Sequence, residues 1–212
     1  MSNRHLSPLD ALLADLQHGL NSLRPGPTDK ASYPARDHDE DLDARERQHA
    51  AGLMRVNHAG EVAAQALYRG QARVARNPDT REHLLDAALE EQAHLDWCTQ
   101  RLEELGSQPS QLSPLWFAGA YAIGAAAGLA GDRWSLGFVS ETERQVEEHL
   151  QGHLSQLPEG DKRSRQIVEQ MKEDEARHGQ QARDAGGREL PPPLRGLMRA
   201  AAKVMTTAAY KG

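Results

Sequence analysis

Glu91 and His94 stand three positions apart, a spacing that on an α-helix puts a carboxylate and an imidazole on one face, within reach of a single point beside the helix. Glu175 and His178 repeat the pair, and a lone glutamate precedes each copy, Glu61 before the first and Glu143 before the second. The intervals agree. Glu61 to Glu91 is 30 residues and Glu143 to Glu175 is 32, while the two halves are offset by 82 at the first glutamate and 84 at the second. The chain reads as one helical hairpin written twice.

Helical phase decides whether these groups face water. Leu84, Ala88, Glu91, Leu95, Cys98 and Leu102 alternate by four and three, so Glu91 lies in an apolar seam. Leu136, Val139, Glu143, Val146 and Leu150 form a second seam, and Val168, Met171, Glu175, His178 and Ala182 a third. Glu61 sits among Met54, Asn57, Ala64 and Tyr68 in the same way. Glu90, Glu103, Glu104, Glu141, Glu148, Glu173 and Asp174 fall off the seams and are expected to be exposed helix charges. Four carboxylates and two imidazoles thus point inward with no Lys or Arg among them, and buried carboxylates must be protonated, paired or metal-bound. Cations answer that arithmetic best. A glutamate from each of two helices and a Glu-x-x-His from each of two others is the ligand set of di-iron and di-manganese bundles. Oxygen and imidazole donors suit iron or manganese, whereas a thiolate zinc site needs cysteines and the chain has one, Cys98.

The elements follow from punctuation and composition. Abundant Ala, Leu, Glu, Gln and Arg with few aromatics predict an all-α fold, a four-helix bundle in one domain over 47–187. The bundle helices are predicted at about Arg45 to Arg76, Thr80 to Gly106, Asp132 to Pro158, and Asp161 to Gly186. Gly60 beside Glu61 is expected to let a helix or ligand approach closely. Between the halves, Pro114 to Gly131 carries no charge. A transmembrane path there would put the two halves of the ligand set on opposite sides of a bilayer, so the segment is expected to be the crossover helix, with an apolar face for lipid and its aromatics as interfacial anchors. Residues 1–46 are expected to form an amphipathic helix (Ser7 and Pro8 at its start, then Leu9, Leu12, Leu13, Leu16, Leu20 and Leu23) and a flexible acidic tether from Arg24 to Asp43. Residues 188–212 read as a basic amphipathic helix, Leu194, Leu197, Met198, Ala201, Val204 and Met205 lying beside Arg195, Arg199 and Lys203.

The net charge of −6 with no basic stripe gives no reason to expect nucleic acid. Residues 1–46 lack the basic start and apolar run of a signal peptide, which predicts retention in the cytoplasm. No strand followed by GxGxxG is visible, so electrons must come from the substrate or from an external donor.

The run Arg55-Val56-Asn57-His58-Ala59-Gly60-Glu61, the two Glu-x-x-His pairs and Glu143 between them resemble the demethoxyubiquinone hydroxylases of ubiquinone biosynthesis, ferritin-like and membrane-associated di-iron monooxygenases. The match covers roughly residues 48 to 212, with Asn57 where the family usually has Asp. The resemblance implies that Glu61, Glu91, His94, Glu143, Glu175 and His178 hold two Fe2+ ions, Glu175 bridging them together with Glu91 or Glu143. It implies O2 as co-substrate and hydroxylation of the ring of a polyprenylated methoxy-methyl-benzoquinol (demethoxyubiquinol). It also implies a peripheral place on the cytoplasmic face of the cell membrane, and leaves open a homo-oligomer or a ubiquinone-biosynthesis complex. His58, Tyr68 and His149 are the candidates for supporting the ions or lining the substrate pocket, against the plainer reading of His58 and His149 as packing or surface histidines. The alternatives are an iron-storage or peroxide-detoxifying protein, another di-iron hydroxylase, or a metal-free membrane scaffold.

Overall fold

The computed structural model describes residues 33–38 and 41–212, together with Asp10 and Gln17. Most of the predicted N-terminal amphipathic helix lies outside the described residues. α1 (Ala44–Val74) starts at Asp43, whose carboxylate accepts from the Arg45 and Glu46 N–H groups while Glu46 accepts from the Asp43 N–H, a reciprocal cap. α2 (Pro78–Glu104) starts at Asn77 with proline in its first turn, where the missing N–H costs nothing. α3 (Ser113–Leu129) is the predicted crossover, and α4 (Asp132–Gln156), α5 (Lys162–Asp184, capped by Asp161) and α6 (Pro192–Lys211) complete the order. The Asp132 carboxylate accepts from the Arg76 and Asn77 N–H groups, which ties the α1–α2 turn to the start of α4.

α1, α2, α4 and α5 form the bundle, and all four predicted seams turn inward. One apolar cluster, including Met54, Cys98, Leu102, Leu150, Ile167 and Met171, fills one end of the interior. A second, including Tyr68, Leu84, Ala88, Val139 and Ala182, fills the other. Between them lies a layer of buried glutamates. Buried Arg101 fastens the α2 and α5 ends, donating to Ser164 Oγ at 2.8 Å, Asp161 Oδ1 at 2.8 Å and Glu104 Oε2 at 3.0 Å.

Part of the stretch expected to be a flexible tether is anchored instead. Tyr33 and Ala35 are buried in the first apolar cluster, the Tyr33 hydroxyl donates to Glu104 at 3.3 Å, and Gln166 Oε1 accepts from the Arg36 and Asp37 N–H groups. The acidic composition suggested solvation, and two small contributions from apolar residues outweighed it.

α3 lies flat on α1 because glycines let the two backbones touch. A Cβ added at Gly124 would collide with the Leu67 carbonyl oxygen, and one at Gly70 with that of Tyr121. Gly60, expected to permit such an approach, has open space where a Cβ would stand. The aromatics of α3 also differ from expectation. Phe117 is buried beside Val62 and Leu95, and Trp116 packs on Val56, Ala59 and Ala209, so the side chains left outward are the aliphatic Leu115, Ile123 and Leu129. No helix among the described residues is long and apolar enough to cross a membrane. α6 rests on α1 through Ala209 and Tyr210, whose hydroxyl hydrogen-bonds His49 at 2.7 Å, and leaves Leu197 and Val204 each 66% exposed.

Replacing Gly124 with alanine should force α3 off α1 and cost about 1–3 kcal/mol, a melting temperature lower by about 3–10 °C. Gly60→Ala, with room for its Cβ, should leave the melting temperature unchanged or slightly raised. Thermal melts of both variants measure this, and equal losses would refute the assigned contact.

Candidate metal centre

Glu61, Glu91, His94, Glu143, Glu175 and His178 converge in the middle of the bundle, none more than 3% exposed. They form two overlapping groups. Glu61, Glu91, His94 and Glu175 offer donor atoms within 4.8 Å of one another, and so do Glu91, Glu143, Glu175 and His178. Glu91 and Glu175 belong to both, and each turns one oxygen to each half. Glu91 Oε2 lies 3.1 Å from His94 Nδ1 and its Oε1 3.4 Å from His178 Nδ1; Glu175 Oε1 lies 3.2 Å from His94 Nδ1 and its Oε2 3.3 Å from His178 Nδ1. The pair facing both imidazoles is therefore Glu91 with Glu175.

The charges do not balance within the cluster. Among the described residues no Lys or Arg pairs with any of the four glutamates. Burial, with Glu175 and Glu91 alongside, pushes the Glu61 and Glu143 carboxyls well above the usual range. Burial acts in the same direction on Glu91, but the contacts from His178 and His94 overcome it and hold that carboxyl below its ordinary value. His94 is desolvated yet raised well above a free imidazole by Asp174, Glu175, Glu61 and Glu91, and His178 is raised to about 11 by Glu175 and Glu91 against the same burial. Glu91 Oε1, Glu175 Oε2 and His178 Nδ1 are buried without a hydrogen bond. Two cations between these donors would satisfy those atoms and offset the charge, so the residues present fit a pair of divalent ions.

Around this centre, Tyr68 is buried and its hydroxyl donates to Glu143. His58 is buried too, neither ring nitrogen has a hydrogen-bond partner, and burial lowers it to about 4. His149 is half-buried against His153, ring centroids 3.9 Å apart, on the α6 side of α4, and neither lines the centre nor faces solvent freely.

Two residues assigned to solvent act on the site. His94 Nε2 lies 3.1 Å from Asp174 Oδ2, and His178 Nε2 lies 2.6 Å from Glu90 Oε2. Each imidazole thus turns Nδ1 to the centre and Nε2 to the acid that precedes the glutamate of the facing helix. Such partners fix ring orientation and ligand basicity. The signal was present in the sequence as an acid directly before both Glu-x-x-His pairs. A residue one step off a seam points about 100° from it, a direction that meets water on a lone helix but can also reach a neighbour in a bundle. Glu90 stays exposed as expected, whereas Asp174 and Glu141 are buried, Glu141 being held by Arg144 at 2.7 Å and Gln145 at 2.6 Å.

The family model described as ubiquinone biosynthesis protein COQ7 matches residues 48–209. The chain belongs to this family. Among curated relatives, the 3-demethoxyubiquinol 3-hydroxylase of Ralstonia pickettii is 56% identical over 216 residues, covering 100% of both chains. That of Xanthomonas oryzae pv. oryzae is 58% identical, covering 97% of this chain and 95% of the relative, and that of Cupriavidus taiwanensis is 56% identical, covering 97% and 98%. The COQ7 match takes in α1 from its second turn, the other three bundle helices, the crossover and nearly all of α6, so it spans every residue of the centre.

Divalent metal added to metal-free protein should raise the melting temperature by about 5–10 °C at a hundredfold excess over its dissociation constant, since binding there adds about 2.7 kcal/mol. Glu175→Ala should abolish most of the rise. Scanning calorimetry with and without Mn2+ reads it, and an unchanged melting temperature would count against a metal centre.

Proposed function

We propose that this protein is an O2-dependent di-iron monooxygenase that hydroxylates the ring of a polyprenylated methoxy-methyl-benzoquinol, the demethoxyubiquinol step of ubiquinone synthesis. The observation that carries the reading is the pair of overlapping donor groups sharing Glu91 and Glu175. Glu61, Glu91, His94 and Glu175 would hold one iron, and Glu91, Glu143, Glu175 and His178 the other. An Fe2+ pair held there would provide the coordination positions for activating dioxygen, with one oxygen atom entering the ring, the other leaving as water, and the two electrons coming from the quinol or an external donor.

The chain's own residues do the rest. Tyr68 keeps the Glu143 carboxylate turned to the centre, while Asp174 and Glu90 keep the imidazole Nδ1 atoms there. Burial and the neighbouring acids raise the Glu61 and Glu143 carboxyls, so cations compete with protons there and loading would weaken as the pH falls. The two apolar clusters above and below keep water from the reacting ring.

The uncharged outward face of α3 suits a substrate whose isoprenoid tail stays in a bilayer. Leu115, Ile123 and Leu129 would dip into lipid, with α6 adding Leu197 and Val204 beside Arg199 and Lys203 for an anionic surface. The protein would then sit peripherally on the cytoplasmic face of the membrane, with electrons from the quinol itself or from an external donor.

Iron-loaded protein should convert demethoxyubiquinol to the hydroxylated quinol only in the presence of O2, and Glu143→Ala should fall below about one hundredth of that rate. Full activity in the variant would remove the assigned ligand set, and iron or peroxide turnover without quinol conversion would favour a storage or detoxifying protein. Replacing Leu115, Ile123 and Leu129 by serine should lower sedimentation with anionic liposomes at least about tenfold, given about 1.5–3 kcal/mol for each large aliphatic side chain buried. Unchanged sedimentation would refute the lipid-facing role of α3.

A further inference from the structure

The two halves of the centre look alike from inside and unlike from outside. Behind His94, the Asp174 carboxylate is 11% exposed and is held in turn by Arg177 at 2.6 Å and Gln170 at 3.2 Å. Behind His178, the Glu90 carboxylate is 51% exposed, and its other contact is Arg177 at 3.6 Å, itself 50% exposed. An exposed glutamate changes rotamer at little cost, whereas a buried aspartate with three partners does not. Asp86 and the half-buried His83 continue the face of Glu90 along α2, so ligand-type side chains lead from the surface to the His178 ring.

We propose that Glu90 is the gate through which divalent cations reach and leave the centre: swinging aside, it frees the His178 ring, so the His178 position exchanges its ion first while the position held by His94 and Asp174 retains its ion. This rests on the metal centre proposed above and concerns the order and route of loading, which that reading does not fix. Arg177, lying between Asp174 and Glu90, is the side chain that draws Glu90 back over the ring.

Co2+ serves as the probe, since it occupies oxygen and imidazole sites and reports through its visible absorption. Metal-free protein loaded with two equivalents is mixed with excess chelator, and release is followed by absorbance and by the cobalt retained on gel filtration. Wild type should release one equivalent fast and one slowly. Glu90→Gln should quicken the fast phase about tenfold and leave the slow phase within about twofold, while Asp174→Asn should quicken the slow phase. Melting temperatures of the metal-free variants, measured alongside, show that both remain folded, and a merely structural loss would speed the two phases together. Release of both ions in a single phase, a fast phase insensitive to Glu90→Gln, or a fast phase governed by Asp174 would overturn the gate while leaving the metal centre standing. Protein that takes up no Co2+ would overturn both.

Discussion

Four carboxyl groups packed at the middle of a helical bundle repel one another when ionised, and two imidazoles cannot neutralise all four. The penalty for each unpaired buried charge is several kcal/mol, more than any single cap or surface ion pair returns. The rest of the molecule is arranged around that imbalance. The two apolar clusters hold the helices together on either side of the charged layer, so the layer need not contribute to folding. Arg101 closes one end of the bundle and Asp132 the other, both far from the glutamates and both fully engaged. A bundle built this way can keep an unfavourable centre in place until cations fill it.

The crossover explains how one face can serve a lipid-borne substrate without a membrane span. Two hairpins of the same direction need a connection running the length of the bundle, and α3 provides it as a helix pressed onto α1. Gly70 and Gly124 bring the backbones into contact, which leaves the opposite side of α3 bare and uncharged. The closeness on one side and the exposed aliphatics on the other are two results of one small-residue composition.

Much of this was legible in the sequence because seams and ligands share a period. Glu91 could be read as buried only because Ala88 and Leu95 flank it in phase, and the six side chains that converge in the bundle were legible from such seams together with the repeated Glu-x-x-His. The later boundaries followed from the turn at Asn77, the cap at Asp161 and the glycines and prolines, whose effects are local. What sequence did not disclose depends on a second helix. Asp174 and Glu90 matter through imidazoles 80 and 88 residues away in the chain. The anchoring of Tyr33 depends on Glu104 and Arg163, and the roles of Gly60 and Gly124 differ only by what stands opposite each. Periodicity reports which way a side chain points. It carries no information on what waits there.

The central claim is that Glu91 and Glu175 each face two ions at once, and the Mössbauer spectrum of protein loaded with isotopically enriched iron and then oxidised tests it most directly. The account predicts two irons per chain in one magnetically coupled ferric pair, replaced by isolated ferric ions in Glu91→Ala. Iron bound singly and uncoupled in the unaltered protein would contradict it.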